Sequence, residues 1–522
     1  MAKSVSKKQT DPELALTRER IEDTLDRLKK THTDELVFAL CGPIGSPLHH
    51  VAEKLQDILK AKFGYQCDTI KLSSFIEQKG AQVPVGASSF ERVNHLVTEG
   101  NKLREKYGKG VLAELGISEI FRSRAAAKLR ENSDRFTPQR FCHIFDSVKN
   151  QQELDVLRAV YGDLLICIGV FSPHVFRIEE LEKRKMAPWE VLKLVDRDSG
   201  EEIAHGQTVR DTFPQADFFL KVDSKVANQI EEKVERLLNL ITRLGISTPT
   251  SHEAAMYMAA SSALNSACLS RQVGAAVTDK DGLVLGVGWN DVPKFGGGLY
   301  GAEDETKKKD FRCIKMDGGV CFNDREKARI ASETISELVK AGIIDSKKAE
   351  EATEKILKSK VKDLIEFSRA VHAEVLAIIH ASQASGSLMR GGRLYCTTYP
   401  CHSCARHIIA AGVSEVYFIE PYRKSLATTL HGDAITEDES EDQKVRLLPY
   451  EGVAPRRFND LFTMKPGSRK QNGQAIRRSA MSTKTASEIS LESFPVLEAF
   501  IVDQLQKEGL LAATAVENEQ PA

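Results

Sequence analysis

Two short stretches constrain this chain more than anything else in it. "RAVHAEVLAIIHAS" (369–382) puts His372 and Glu374 at the mouth of a mostly apolar helical stretch. "TTYPCHSCARHIIAAG" (397–412) puts Cys401 and Cys404 at the mouth of another, with Pro400 just ahead. "RLYCTTYP" between them reads as a strand, and "EVYFIE" (415–420) as the strand after. Helices alternating with strands predict an α/β arrangement here. Pro400 suits the extended entry into a helix, where the N–H it lacks has no partner in any case.

The residue types at these mouths carry chemistry. An imidazole and two thiolates are good Zn²⁺ ligands, and three protein ligands leave one position open. His372, Cys401 and Cys404 are the candidate ligands. A thiolate at a helix N-terminus is also stabilised by the dipole. An open position on zinc holds a water whose pKa falls toward ~7. Glu374, two residues from His372, is placed to take that water's proton and hand it to a leaving amine. The order H-x-E…P-C-x-x-C is the pattern of zinc-dependent attack on C4 of cytosine. Cys-x-x-Cys alone is a weak signal and His-x-Glu weaker still. Both in order, each opening an apolar helix with a β-run between, are specific. A purely structural zinc would want a fourth protein ligand. His402 is the nearest spare, but its side chain is expected to point away from the cysteine pair. His380 and His407 read as core or helix-surface histidines.

With 522 residues the chain exceeds one ordinary core, so two or more domains are expected. Net charge is −1, which gives no electrostatic reason to expect a polyanion over a basic surface. Ten cysteines are sparse and do not space like a disulfide framework. "MAKSVSKKQTDPELAL" lacks the apolar run of a secretory signal, and no stretch approaches the ~18 apolar residues of a membrane span. The expectation is a reducing, cytoplasmic compartment and no membrane partner.

Four regions follow from the pattern. Residues 1–33 are a charged arm with helical spacing. Residues 34–245 open with "DELVFALCG", a buried strand entering a turn, and continue through strand candidates "FCHIFDS" (141–147) and "DLLICIGVF" (163–171) among helical segments. "KVANQIEEKVERLLNLITRLG" (225–245) is a helical connector. Residues 250–465 hold the zinc motif and, upstream of it, "VGAAVTDKDGLVLGVGWND" (273–291), two β-runs joined by a hairpin turn. Residues 466–522 read as a basic, polar tail with a short helix near "FPVLEAFIVDQLQ".

On these residues the second half resembles the deoxycytidylate deaminase branch of the cytidine deaminase superfamily. The matching residues are "ALNSACLSRQVGAAVTDKDGLVLGVGWNDVP" (263–293), "HAE" (372–374) and "PCHSC" (400–404), and the likeness covers roughly 250–465. It implies an α/β/α deaminase domain with a mixed sheet and one Zn²⁺. It implies that Asn290 binds the deoxyribose. Arg271, Lys294 and Arg423 are candidates for phosphate contacts because each lies beside a matched segment. The stretch between Asn290 and His372 is longer than a minimal deaminase needs. It contains "FGGGLYGAEDE", a candidate lid, and Cys313 and Cys321, which read as ordinary thiols ahead of a second metal site. "EPYRKSLATTLHGDAI" (420–435) is a candidate substrate cover, with Tyr422 or His431 lining it, or a plain capping helix.

The first half resembles a degenerate P-loop nucleotide-kinase-like parallel α/β domain. "VFALCGPIGSPLHHVAEKL" has the strand–turn–helix junction, and Gly42, Gly45 and Ser46 keep part of G-x-x-x-x-G-K-[ST]. Pro47, Leu48 and His49 stand where the family has Gly-Lys-Ser/Thr, so the phosphate-binding lysine is missing and kinase turnover is not expected. Asp146 ends an apolar strand as a Walker-B acid would. The helix mouth can still hold an anion. The two halves together resemble bacterial anti-phage dCTP deaminases. That likeness implies conversion of dCTP, and often dCMP, to the uracil nucleotide. It implies a homo-oligomer, and a first domain that senses a nucleotide (with Mg²⁺ on a triphosphate), an inhibitory RNA or a phage-derived signal. Two other readings stay open from the residues: a cytosine deaminase acting on single-stranded nucleic acid, and a non-catalytic nucleotide-binding regulator with a structural zinc.

Overall fold

The computed structural model describes residues 29, 31–132, 136, 139–198, 209–223, 227–421, 425–464, 466–483, 485, 489–491 and 493–512. It forms two compact units, Met1–Thr248 with Asn459–Ala522, and Pro249–Phe458. Among the described residues no helix is long and apolar enough to cross a membrane.

Unit 1 runs β1 (Leu36–Cys41), α1 (Leu48–Phe63), β2 (Gln66–Lys71), α2 (Leu72–Lys79), α3 (Ser89–Tyr107), α4 (Val111–Arg130), β3 (Phe141–Val148), α5 (Gln151–Tyr161), β4 (Leu165–Phe171), α6 (His174–Glu182), α7 (Pro188–Asp198), β5 (Phe218–Lys221) and α8 (Ala227–Ile241). The strands are parallel in the order β5-β4-β1-β3-β2. β1 is buried along its whole length, which is why "LVFALC" is continuously apolar rather than alternating. Because β1 has β3 on one side and β4 on the other, the order reverses at its C-terminal end. That is where open α/β sheets form a crevice. The charged arm 1–33 lies almost wholly outside the described residues.

Unit 2 runs α9 (Ser251–Ala263), β6 (Gly274–Thr278), β7 (Val284–Trp289), α10 (Phe322–Lys340), α11 (Ala349–Lys358), α12 (Ala373–Ser385), β8 (Arg393–Thr398), α13 (His402–Ala411), β9 (Glu415–Glu420), β10 (Ile435–Thr436) and β11 (Val445–Pro449). Its sheet is mixed, in the order β10-β11-β9-β8-β6-β7. β6 is antiparallel to β7 and β8, and β8, β9, β11 and β10 run parallel. The expected hairpin is present: Asp279 Oδ1 accepts from the N–H groups of Asp281 and Leu283, and Gly282 takes φ +95° in the turn.

Helices cover both faces of this sheet. A Cβ on Gly274 of β6 would lie 1.9 Å from Ala259 O of α9, whereas Gly288 of β7 backs onto α12. Gly288 pairs with Ala275, the residue after Gly274, so α9 and α12 lie on opposite faces. Thr250 and Glu253 close a capping box at the start of α9.

The stretch from 466 onward corrects one expectation, since much of it is packed rather than a solvated tail. Residues 470–475 are exposed, but Arg140 holds the carbonyls of Ala480 and Thr483 at 2.8 and 2.6 Å. Helix α14 (Phe494–Lys507) buries Phe494, Glu498 and Leu505 in unit 1. Arg124 of α4 binds Glu35 at 2.6 and 2.9 Å and Glu498 at 3.1 and 3.2 Å, all three side chains being buried. Two buried carboxylates on one guanidinium fix α14 in place, and composition alone hides this because the apolar face of the helix is brief.

Candidate zinc centre

Each candidate ligand sits where a strand hands over to a helix. Val371 donates its N–H to Asp291 O at 2.9 Å, which delivers the chain to His372, the extended N-cap of α12. Asp291 is itself buried and fixed, accepting from Ala267 N–H and Val292 N–H at 2.8 Å each. On the other side β8 ends at Thr398. Tyr399 N–H then bonds Glu420 O at 2.8 Å, and Pro400 leads into Cys401, the N-cap of α13. The Cys401 sulfur accepts from Cys404 N–H at 3.4 Å, so a helical turn brings both sulfurs to one side.

The three side chains converge. His372 Nδ1 lies 3.2 Å from Cys404 Sγ and 3.4 Å from Cys401 Sγ, and all three ligand atoms fall within 4.8 Å of one another. Glu374, in the first turn of α12, is 4% exposed. Hydrogen bonding from Cys404 chiefly, helped by His372, brings the Cys401 thiol down to about 4. His372 rises to about 9, mainly through its bond to Cys401, against the opposing effect of burial. The Cys404 thiol is pushed well up, since its proton serves the Cys401 thiolate. Burial raises the Glu374 carboxyl, with the nearby imidazole acting in the other direction. One nitrogen, two sulfurs and a buried carboxyl beside them form a donor set that suits zinc, which binds the deprotonated thiols and neutral imidazole.

Residues 249–420 match the cytidine and deoxycytidylate deaminase zinc-binding region. His372, Cys401 and Cys404, grouped as possible ligands of one metal ion, lie within this matched stretch. Among relatives, the chain is 41% identical over 56 residues to ComE operon protein 2 of Bacillus subtilis, covering 11% of this chain and 29% of that protein. It is 43% identical over 49 residues to a probable deoxycytidylate deaminase of Drosophila melanogaster, covering 9% and 23%. Both matches span less than a third of the relative. A UPF0200 protein of Saccharolobus islandicus is 25% identical over 207 residues, covering 39% of this chain and 94% of that protein. Among solved structures, the cyanophage S-TIM5 dCMP deaminase in complex with dCMP and dUMP aligns at 22% identity and a TM-score of 0.23, over 39% of this chain and 99% of that one.

His402, His407 and His380 stay out of the metal group. His402 Nε2 lies 3.5 Å from Glu366 Oε1, His407 Nδ1 bonds Ser403 O at 2.8 Å, and His380 Nδ1 bonds Val287 O at 2.7 Å. Cys313 and Cys321 are free thiols outside it.

Asn290 is buried, and its amide is spent on local backbone: Oδ1 accepts from Val273 N–H at 2.8 Å and Nδ2 donates to Arg271 O at 2.9 Å. Lys294 is paired with Asp304 at 3.1 Å. Arg271 is half exposed and 3.7 Å from Glu420. Tyr422 and Arg423 lie outside the described residues. His431 follows the short helix Ala427–Leu430. In the candidate lid, Gly296, Gly297 and Gly298 all take positive φ beside a fully exposed Phe295.

Sequence reasoning missed Gly286 and Gly288. They share one face of β7 and meet Ala373, Ala377 and Ala381 of α12. The signal was available: glycines at i, i+2 on a strand facing alanines at i, i+4, i+8 on a helix.

In unit 1, Gly42, Gly45 and Ser46 lie in the β1–α1 turn and Asp146 near the end of β3, all at one end of the sheet. His49, which sequence reasoning treated only as a departure from the motif, hydrogen-bonds Asp146 through Nδ1.

Proposed function

We propose that this protein hydrolytically deaminates deoxycytidine nucleotides, dCTP foremost and dCMP as a second substrate, releasing ammonia and the uracil nucleotide. The convergence of His372, Cys401 and Cys404 beside the buried Glu374 carries this reading. The match of 249–420 to the cytidine and deoxycytidylate deaminase region supports it.

Zinc, when bound by His372, Cys401 and Cys404, supplies a water of lowered pKa. Glu374 takes one proton from the attacking water to ring nitrogen N3 and then carries the second, from the resulting hydroxyl, to the departing amine, so that water plus aminopyrimidine gives oxopyrimidine plus ammonia. Its burial keeps the proton from bulk solvent. Arg271 would swing from Glu420 to the nucleotide's phosphate, and Asn290 would hold the sugar edge through the rigid 271–273 backbone to which it is tied.

The biological reading is depletion of deoxycytidine nucleotides in the cytoplasm as an anti-phage defence. Unit 1 would act as the sensing domain for a nucleotide, inhibitory RNA or phage-derived signal, and the assembly would be a homo-oligomer. Mg²⁺ would enter only with a triphosphate substrate.

The test incubates purified protein with dCTP, dCMP, CTP and a cytosine-bearing oligonucleotide, reading ammonia and uracil product with and without a zinc chelator. Turnover of free deoxynucleotide that the chelator abolishes supports the proposal. Turnover of the oligonucleotide alone moves the assignment to nucleic-acid deamination, and zinc bound without turnover leaves a regulator.

A further inference from the structure

The C-terminal end of the unit 1 sheet holds polar groups that the deaminase chemistry does not use. Helix α1 has Pro47 at its N-cap, no side chain capping it and no acidic residue in its first turn. First-turn N–H groups lack partners within a helix and carry the positive end of its dipole. Ser46, in the loop before α1, and Ser172, just after β4, are 8% and 7% exposed, and neither hydroxyl has a hydrogen-bond partner among the described residues. Lys149 Nζ sits 2.8 Å from Gly42 O and Arg177 Nη1 3.3 Å from Ile44 O, so two cations rest on the loop.

His49 decides how this mouth works. Counting G-x-x-x-x-G-K-[ST] from Gly42, position 49 belongs to the hydroxyl that binds magnesium. Here it is an imidazole whose Nδ1 bonds Asp146 Oδ2 directly. Asp146 is 1% exposed and sits at a bulge: Ala39 pairs with Phe145, Cys41 pairs with Val148, and Ser147 between takes φ +76°. In a metal-using P-loop the hydroxyl and the strand-end acid hold the ion between them. In this chain they hold each other. The His49 ring stays 61% exposed, so its second nitrogen can reach a ligand. Asp146 Oδ1 is a buried acceptor with no hydrogen-bond partner among the described residues.

We propose that the mouth of α1 binds a polyphosphate anion without a metal ion. Protonated His49, anchored by Asp146, supplies the charge from the metal's seat. With both ring nitrogens protonated, Nδ1 donates to Asp146 and Nε2 to the phosphate. Ser46, Ser172 and the His49 and His50 N–H groups donate to the remaining oxygens, Leu48 N–H being already bonded to Ser46 O at 2.9 Å. Lacking both the P-loop lysine and the ion, the site binds phosphate and transfers none. This stands whether or not Glu374 is a catalytic base.

The experiment is calorimetric titration of the full chain with inorganic triphosphate and, separately, ATP, each with and without millimolar Mg²⁺. Wild type is expected to bind at least one probe in the absence of Mg²⁺, and added Mg²⁺, which sequesters the free anion in solution, is expected not to tighten that binding. His49→Ala should weaken binding by about tenfold or more, as loss of a charge-assisted bond does. His49→Gln, which keeps a donor to Asp146 without the charge, gives the same reading if the alanine variant fails to fold. His49→Ser should make binding Mg²⁺-dependent. Asp146→Asn should leave binding equal or tighter, since an acceptor for His49 remains and a negative charge is gone. Equal binding of both probes assigns recognition to the phosphate chain, and binding of ATP alone adds the nucleoside. Wild-type binding that requires Mg²⁺, loss of binding in Asp146→Asn, unchanged binding in both His49→Ala and His49→Gln, or no binding of either probe overturns the proposal.

Discussion

Gly288 of β7 and Ala377 of α12 meet backbone to backbone. A Cβ on Gly288 would lie 2.4 Å from Ala377 N and 2.4 Å from Ala373 O, at the turn of α12 that carries Glu374. Gly286 makes the corresponding contact farther along the helix, 2.6 Å from Ala381 N. Gly288→Ala is therefore expected to push the mouth of α12 off the sheet at a cost of about 1–3 kcal/mol. Its ammonia release per bound zinc should fall further than that of Gly286→Ala. Urea unfolding with steady-state kinetics on both variants checks this, and equal catalytic losses would count against it.

Glu374→Gln should keep zinc while ammonia release drops about 10²–10⁴-fold, the usual reach of a lost general acid/base. Metal analysis beside the activity assay makes the comparison. Near-normal turnover would remove Glu374 from the chemistry.

Cys404→Ala should lower zinc affinity by more than the roughly 10–100-fold that a second-shell partner costs, and lower the thermal midpoint of unit 2. Metal competition with a chromogenic chelator reads the first effect and calorimetry the second.

Glu114 of α4 gives unit 1 a pH dependence with a definite sign. Burial chiefly, with Glu508 adding repulsion, raises its carboxyl from 4.5 to about 7. The folded state thus holds the proton more tightly than the unfolded chain. Its favourable contribution is complete below about 4.5 and is lost as pH rises through about 7. Glu114→Gln mimics the protonated form, so it should raise the melting temperature at pH ~8 and make little difference at pH ~4.5. A pH series of melts on both proteins decides it.

Arg124→Met should cost about 3–5 kcal/mol, because it leaves Glu35 and Glu498 buried without their shared cation. Adding Glu498→Gln to that variant should recover part of the loss. Denaturant unfolding of the single and double variants provides the check.

Much of unit 2 was legible because its signals are local. "VGAAVTDKDGLVLGVGWND" alternates and turns as a hairpin must, and it forms β6 and β7. Pro400 and Cys401 mark the start of α13, and the Cys-x-x-Cys spacing brings two sulfurs to one turn. The packing of Ala480 and Thr483 against Arg140, and of α14, was not legible. Glu498 looks like a surface charge until Arg124, 374 positions away in the chain, is found against it.

Periodicity, turn residues and motif spacing sufficed to define the strands and helices around the zinc ligands, because each depends on neighbours a few positions away. They also named His372, Glu374, Cys401 and Cys404 as a set. Tertiary structure alone decided which polar groups are already engaged: Asn290 with the 271–273 backbone, Lys294 with Asp304, and His49 with Asp146. A side chain's partner is fixed by how closely distant segments approach, and that distance is set by packing, on which spacing along the chain is silent.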